Sequence, residues 1–116
     1  MRVLVAFGED FQDLTLLSET LNTLHAQRGF TILFRCGDVE ADRSLFDWAM
    51  SVGIPSRCCL ANPRKFGRAA VRIRNKQLLV EQKPDLVIVF QSDNLTFDLV
   101  RRARKAKLEV VMVEGR

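Results

Sequence analysis

Residues 83–90 read Lys83-Pro84-Asp85-Leu86-Val87-Ile88-Val89-Phe90, a helix breaker followed by five apolar residues without interruption. A strand with one solvated face alternates apolar and polar residues. An unbroken run rich in valine and isoleucine belongs to a strand covered on both faces, as in a parallel sheet. Arg2–Phe7 (RVLVAF) has the same character near the other end of the chain. Two such strands need helices on both sides of the sheet, and the intervening sequence supplies them.

Outward from these two runs, Leu14, Leu17, Leu21 and Leu24 recur at helical spacing, with Asp13 as N-cap and Gly29 as stop. Phe30–Arg35 is expected as the second strand, and Cys36–Glu40 as its exit loop. Ala41–Val52 reads as a helix ending at Gly53, with Leu45, Trp48 and Ala49 on its core face. A third strand is expected at Arg57–Ala61 and a loop at Asn62–Phe66. A third helix is expected from Gly67 to Gln82, burying Ala70, Ile73, Leu78 and Leu79. After Leu86–Phe90 come a helix at Thr96–Ala106, with Phe97, Val100 and Ala103 inward, and a last strand at Leu108–Val113. Strands alternating with helices in this way make one α/β domain over residues 1–116. The expected form is a Rossmann-like three-layer fold, a five-stranded parallel sheet with helices on both faces. Ligands of such folds bind beyond the carboxyl ends of the strands, here Gly8–Phe11, Cys36–Asp42, Ala61–Gly67 and Gln91–Thr96.

Composition narrows the function classes. No apolar run reaches the roughly 18 residues that span a bilayer, and nothing at Met1-Arg2 resembles a signal peptide. A cytoplasmic protein without membrane contact is expected. Cys36, Cys58 and Cys59 lack CxxC spacing, and His25 is the single histidine, so neither a disulfide framework, a metal site nor a cofactor is expected. The net charge of +4 conceals a split. Residues 1–60 carry five arginines against eight carboxylates, a net of −3, whereas residues 61–116 carry thirteen Lys/Arg against six carboxylates, a net of +7. A positive field of this kind suits solvated helix faces, a phosphate-bearing ligand or nucleic acid.

Gly67–Asn75, Gly-Arg-Ala-Ala-Val-Arg-Ile-Arg-Asn, concentrates three of those arginines where a loop is expected to open a helix. The first amides of a helix are unpaired and attract anions, and arginine adds bidentate donors suited to phosphate.

Taken together, GRAAVRIRN, KPDLVIVF and Thr96-Phe-Asp-Leu-Val-Arg-Arg-Ala-Arg-Lys-Ala106 resemble the SLOG superfamily (named for the Smf/DprA and LOG proteins), in its small single-domain YspA-type, cpYpsA-related branch. The resemblance implies a Rossmann-like domain that binds nucleotides or nucleotide-derived ligands. Relatives cleave cytokinin-type nucleotides, act as ligand sensors in phage defence or bind DNA, and they often assemble into homo-oligomers. Gly67, Arg68, Arg74, Asn75, Asp42 and Thr96 occupy positions matching the family pattern, and Gly8 and Gly37 are the glycines left in its loops. These eight are the candidate ligand-binding residues. Their alternative role is structural: Asp42 and Asn75 capping or bracing, Arg68 and Arg74 pairing with nearby acids.

The loops depart from the pattern. The family's GSRxF is replaced by Phe7-Gly8-Glu9-Asp10-Phe11, GGARGAD by Cys36–Asp42, and PGGxGT by Gln91-Ser92-Asp93-Asn94-Leu95-Thr96. Glycines that let amides approach a phosphate are lost, and Glu9, Asp38, Glu40 and Asp93 arrive. Where LOG hydrolases carry the catalytic glutamate, this chain has Leu99, which cannot move a proton or stabilise an oxocarbenium ion. Catalysis is therefore not expected, and no catalytic residue is assigned. Three roles follow: a non-catalytic domain that senses or sequesters a nucleotide-like molecule in an altered pocket; a protein-interaction or homo-oligomerisation module with a retired pocket; or a nucleic-acid binder using the basic 64–76 and 101–107 helices.

Overall fold

The computed structural model describes residues 1–114. Five parallel strands, β1 (Arg2–Phe7), β2 (Ile32–Arg35), β3 (Ser56–Cys58), β4 (Leu86–Phe90) and β5 (Glu109–Val113), lie in the order β3-β2-β1-β4-β5. Pairing is in register from Val3 opposite Leu86 to Phe7 opposite Phe90. Alternation along β1 and β4 feeds both helical layers. Val3, Val5, Phe7, Leu86, Ile88 and Phe90 pack under α1 (Leu14–Arg28) and α2 (Ala41–Val52). Leu4, Ala6, Val87 and Val89 face the other layer, formed by α3 (Pro63–Phe66), α4 (Ala70–Gln77) and α5 (Asn94–Lys105). The two all-apolar runs are thus the central pair of a Rossmann-like sheet, as their composition requires.

Several boundaries differ from expectation. The ladder of β2 begins at Ile32, opposite Arg2; ahead of it Thr31 N donates to Met1 O (2.9 Å) and the Phe30 N–H is taken by His25 Nδ1 (3.0 Å). Strand β3 is confined to Ser56–Cys58: Gly37, at φ +71°, turns β2 away, and Cys59 N to Arg35 O (2.7 Å) is the last bond available to it. Asn62–Phe66 holds a short helical turn, with the Asn62 side chain accepting from Lys65 N (3.1 Å) and Pro63 at the first position. Helix α5 starts at Asn94 because Asp93 and Thr96 form a capping box.

The expected 67–82 helix is composite. A 3₁₀ turn (Gly67–Ala69) leads into α4, which widens into a π-helical turn (Leu78–Gln82) ending at Lys83 with φ 47°. Its last carbonyl, Gln82 O, accepts from Arg2 Nε (2.8 Å) and Nη2 (2.6 Å), so the first strand caps this helix. Trp48 packs in the core as expected, and its indole N–H donates to Asn22 Oδ1 (2.8 Å). Phe97 does not pack inward. The buried stripe of α5 is Thr96, Leu99, Val100 and Ala103, which leaves Phe97 65% exposed.

Candidate functional site

The strand order reverses between β1 and β4, and a crevice opens there at their carboxyl ends. Val5, Ala6 and Phe7 at the end of β1 line it, and Phe7 is backed in the core by Phe11 (5.4 Å, centroid to centroid) and Phe90 (5.5 Å). Phe11 serves as core, 3% exposed. Gly37, Asp42, Arg74, Asn75 and Thr96 line the crevice, so five of the eight candidates converge. Gly8 stands at the rim, where its N–H donates to Phe90 O (2.9 Å). A side chain at Gly8 would meet Gln91 O at 1.9 Å, which accounts for the glycine. Gly67 and Arg68 are exposed on the turn before α4 and do not line the crevice.

Helix α4 lacks the open N-terminus expected at Gly67. The chain enters it already helical, with Gly67 N donating to Pro63 O and Ala70 N to Gly67 O, so these amides are paired within the chain. The arginine of interest points inward. Arg74 is only 5% exposed and clamps Asp38 through Nη2 to Oδ2 (2.5 Å) and Nη1 to Oδ1 (3.2 Å). Nη1 also donates to Cys36 O (3.2 Å) and Cys59 O (2.9 Å), and Nε to Asn75 Oδ1 (2.9 Å). Burial opposes the Arg74 charge, but the Asp38 carboxylate more than offsets this and holds its pKa above the usual value.

The network continues from Asn75, whose Nδ2 donates to Asp98 Oδ2 (3.1 Å). Asp98 also accepts from Arg102 Nε (2.8 Å) and Arg101 Nη2 (3.2 Å). Burial would raise the Asp98 pKa, yet the bonds from Asn75 and Arg102 bring it below the ordinary carboxylate value. Asp42 is tied to Arg35, which lies over the Phe46 ring at 4.9 Å. The Cys36 thiol, buried beside Arg74, is pushed up to about 12, chiefly by desolvation. Among the described residues no cluster of three or more His, Cys, Asp or Glu could hold a metal ion.

A third anchor closes the site. Asp93 Oδ1 accepts from Leu95 N (3.0 Å) at the start of α5, and Oδ2 accepts from Glu9 N (2.7 Å) in the β1–α1 loop. Two amides from two crevice loops therefore already hold a carboxylate belonging to the chain. Thr96 completes the cap by accepting from Asp93 N (3.0 Å) and bonding Ser92 Oγ (3.0 Å). With Arg74 and Asp38 paired inside it, the deep crevice has about 10 Å³ of free volume, near the minimum for one water. A wider hollow of about 370 Å³ lies beside it, between Glu9–Leu14 and the start of α2 at Glu40–Ser44. Its size falls in the range of small-molecule sites. Leu99, 2% exposed, backs the crevice as a core residue.

The YspA, cpYpsA-related SLOG family model matches residues 1–66, more than half of the chain. The chain belongs to that SLOG family. The match takes in the Gly8 and Gly37 loops and Asp42, whereas the Gly67–Asn75 and Thr96–Ala106 segments lie beyond it. No curated protein matches the chain. Among solved structures it is similar to MurG of Acinetobacter baumannii (14% identity, TM-score 0.63), covering 97% of this chain and 34% of that one. It is also similar to UDP-GlcNAc 2-epimerase from Neisseria meningitidis bound to UDP-GlcNAc (18% identity, TM-score 0.60), covering 97% and 32%. The SLOG chain spans about a third of each, and at these identities the likeness establishes the Rossmann-like fold.

Proposed function

We propose that this protein is a non-catalytic SLOG domain that senses or sequesters a nucleotide-derived ligand at the carboxyl ends of its strands, in a pocket altered so that free phosphate is disfavoured. Family membership and the convergence of Gly37, Asp42, Arg74, Asn75 and Thr96 on one crevice support ligand binding. The observation that carries the alteration is Asp93, whose carboxylate accepts the Leu95 and Glu9 amides at the mouth of α5. A helix N-terminus can bind one anion well, and here a side chain supplies it. The adjoining hollow, bordered by Glu9, Asp10 and Glu40, suits the nucleoside part of a ligand or a cationic group. Leu99 provides no acid or base for glycoside cleavage.

A thermal-shift panel of nucleosides, nucleotides and nucleotide sugars on the wild type and Asp93→Gly tests this reading. A ligand at 100 times its dissociation constant adds about 2.7 kcal/mol, several degrees for a chain of this size. The expectation is that phosphate-free or phosphate-masked compounds stabilise the wild type, and that nucleoside monophosphates stabilise Asp93→Gly alone. A flat panel for both proteins would instead favour a protein-interaction module with a retired pocket. The closed crevice of about 10 Å³ supports that second reading.

A further inference from the structure

The sequence's charge split becomes a split between the two helical layers. Arg68, Arg72 and Lys76 are exposed around α4, and Arg101, Arg104 and Lys105 along α5, on the same side of the sheet. The layer of α1 and α2 carries Glu19, Asp42 and Asp47 with Arg28 and Arg43. Within the basic layer, Phe97 is a large ring left 65% in water. Phe97, Arg101 and Arg104 follow the i, i+4, i+7 stripe of α5, and together with Ser92, Val100 and Met112 they line a groove of about 330 Å³ between α5 and β5. Arg104 has no ion-pair partner among the described residues, and Arg101 touches Asp98 while its side chain stays 54% exposed.

We infer that this groove binds single-stranded nucleic acid, with a base stacked on Phe97 and flanking phosphates on Arg101 and Arg104. An exposed aromatic ring between arginines is the arrangement by which single strands are held without sequence preference. The ring needs an unpaired base, since a duplex covers its base faces. A polyanion also matches the positive charge that Arg101 and Arg104 bring to the groove. A second copy seated two-fold across the β5 edge would bring the arginines of both α5 helices together, and like charges oppose that arrangement. The groove is separate from the crevice between β1 and β4, so it stands whether or not a small ligand binds there.

The test is fluorescence anisotropy of labelled oligothymidylate about 16 nucleotides long, titrated with wild type, Phe97→Ala and Arg104→Gln at several salt concentrations. Binding is expected to weaken as salt rises. Phe97→Ala should reduce affinity about 5- to 150-fold, and Arg104→Gln should lower the log–log salt slope by about 0.7. Both side chains face solvent, so thermal midpoints should match the wild type, which separates lost binding from lost folding. Absence of binding at low salt would overturn the inference. So would a duplex bound as tightly as the single strand with no effect of Phe97→Ala. A dimer in sedimentation that Phe97→Ala dissolves, without oligonucleotide binding, would assign the groove to a second copy.

Discussion

At the scale of single residues, Arg74 decides how the crevice behaves. Its guanidinium meets one carboxylate, two backbone carbonyls and one amide oxygen. Removing it strands Asp38 and both carbonyls in a half-dry site, so Arg74→Ala should lower stability by about 3–5 kcal/mol in urea unfolding. Arg74→Lys should not restore it, because an ammonium cannot reproduce the two-pronged contact. Asp98 offers a second test. Its folded-state pKa is lowered, so its contribution is complete above the unfolded value of about 4 and is lost as pH falls through the folded one. Urea midpoints measured down the acid range should fall for the wild type and flatten for Asp98→Asn. Of the residues singled out from sequence, Gly37, Asp42, Arg74, Asn75 and Thr96 line the crevice, whereas Gly67 and Arg68 do not. Of the two roles the sequence left open for Arg74, the structure takes the pairing with an acid, Asp38, 36 residues earlier, a choice that the fold and not the local sequence makes.

At the scale of elements, loops and caps account for what periodicity leaves open. Strands β1 and β4 have the limits their apolar runs predict, set by core burial, and helix α2 ends as expected at the left-handed Gly53 cap. The start of α5 and the composite helix around α4 do not, because side-chain caps and one positive-φ glycine decide those boundaries. The two loops facing across the crevice are matched to each other. Gly8→Ala would drive a Cβ into Gln91 O. It should destabilise by about 2–3 kcal/mol, toward the upper end for point changes. Thermal denaturation of Gly8→Ala would read this, and crevice binding should fall with it because the Glu9 amide moves. Phe97 was misread for a related reason. The helical repeat fits two adjoining stripes of α5, and only the packing against Val87 and Val89 selects the one containing Leu99 and Ala103.

At the scale of the whole molecule, the sheet separates two chemistries. One helical layer carries mixed charge and the other is basic, while the crevice between the central strands holds paired charges of its own. No helix among the described residues is long and apolar enough to cross a membrane. The sheet's two halves depend on one interior contact set, with Phe90 fully buried against Phe7 and Phe11. Phe90→Ala should therefore cost about 3–5 kcal/mol, and its unfolding should remain a single transition in both far-UV circular dichroism and tryptophan fluorescence.

The strand order also sets a timetable for synthesis. The Arg2 amide meets its Asp85 partner across 83 residues, so β1 leaves the ribosome long before β4 can pair with it. At about 5–20 residues per second the wait is roughly 4–17 s. Once β2 has followed, β1 has a strand on one side and an open apolar edge on the other for the rest of that interval, the condition under which nascent chains associate wrongly. Newly made chains stalled short of Leu86 should need chaperone protection that chains extended past Phe90 do not.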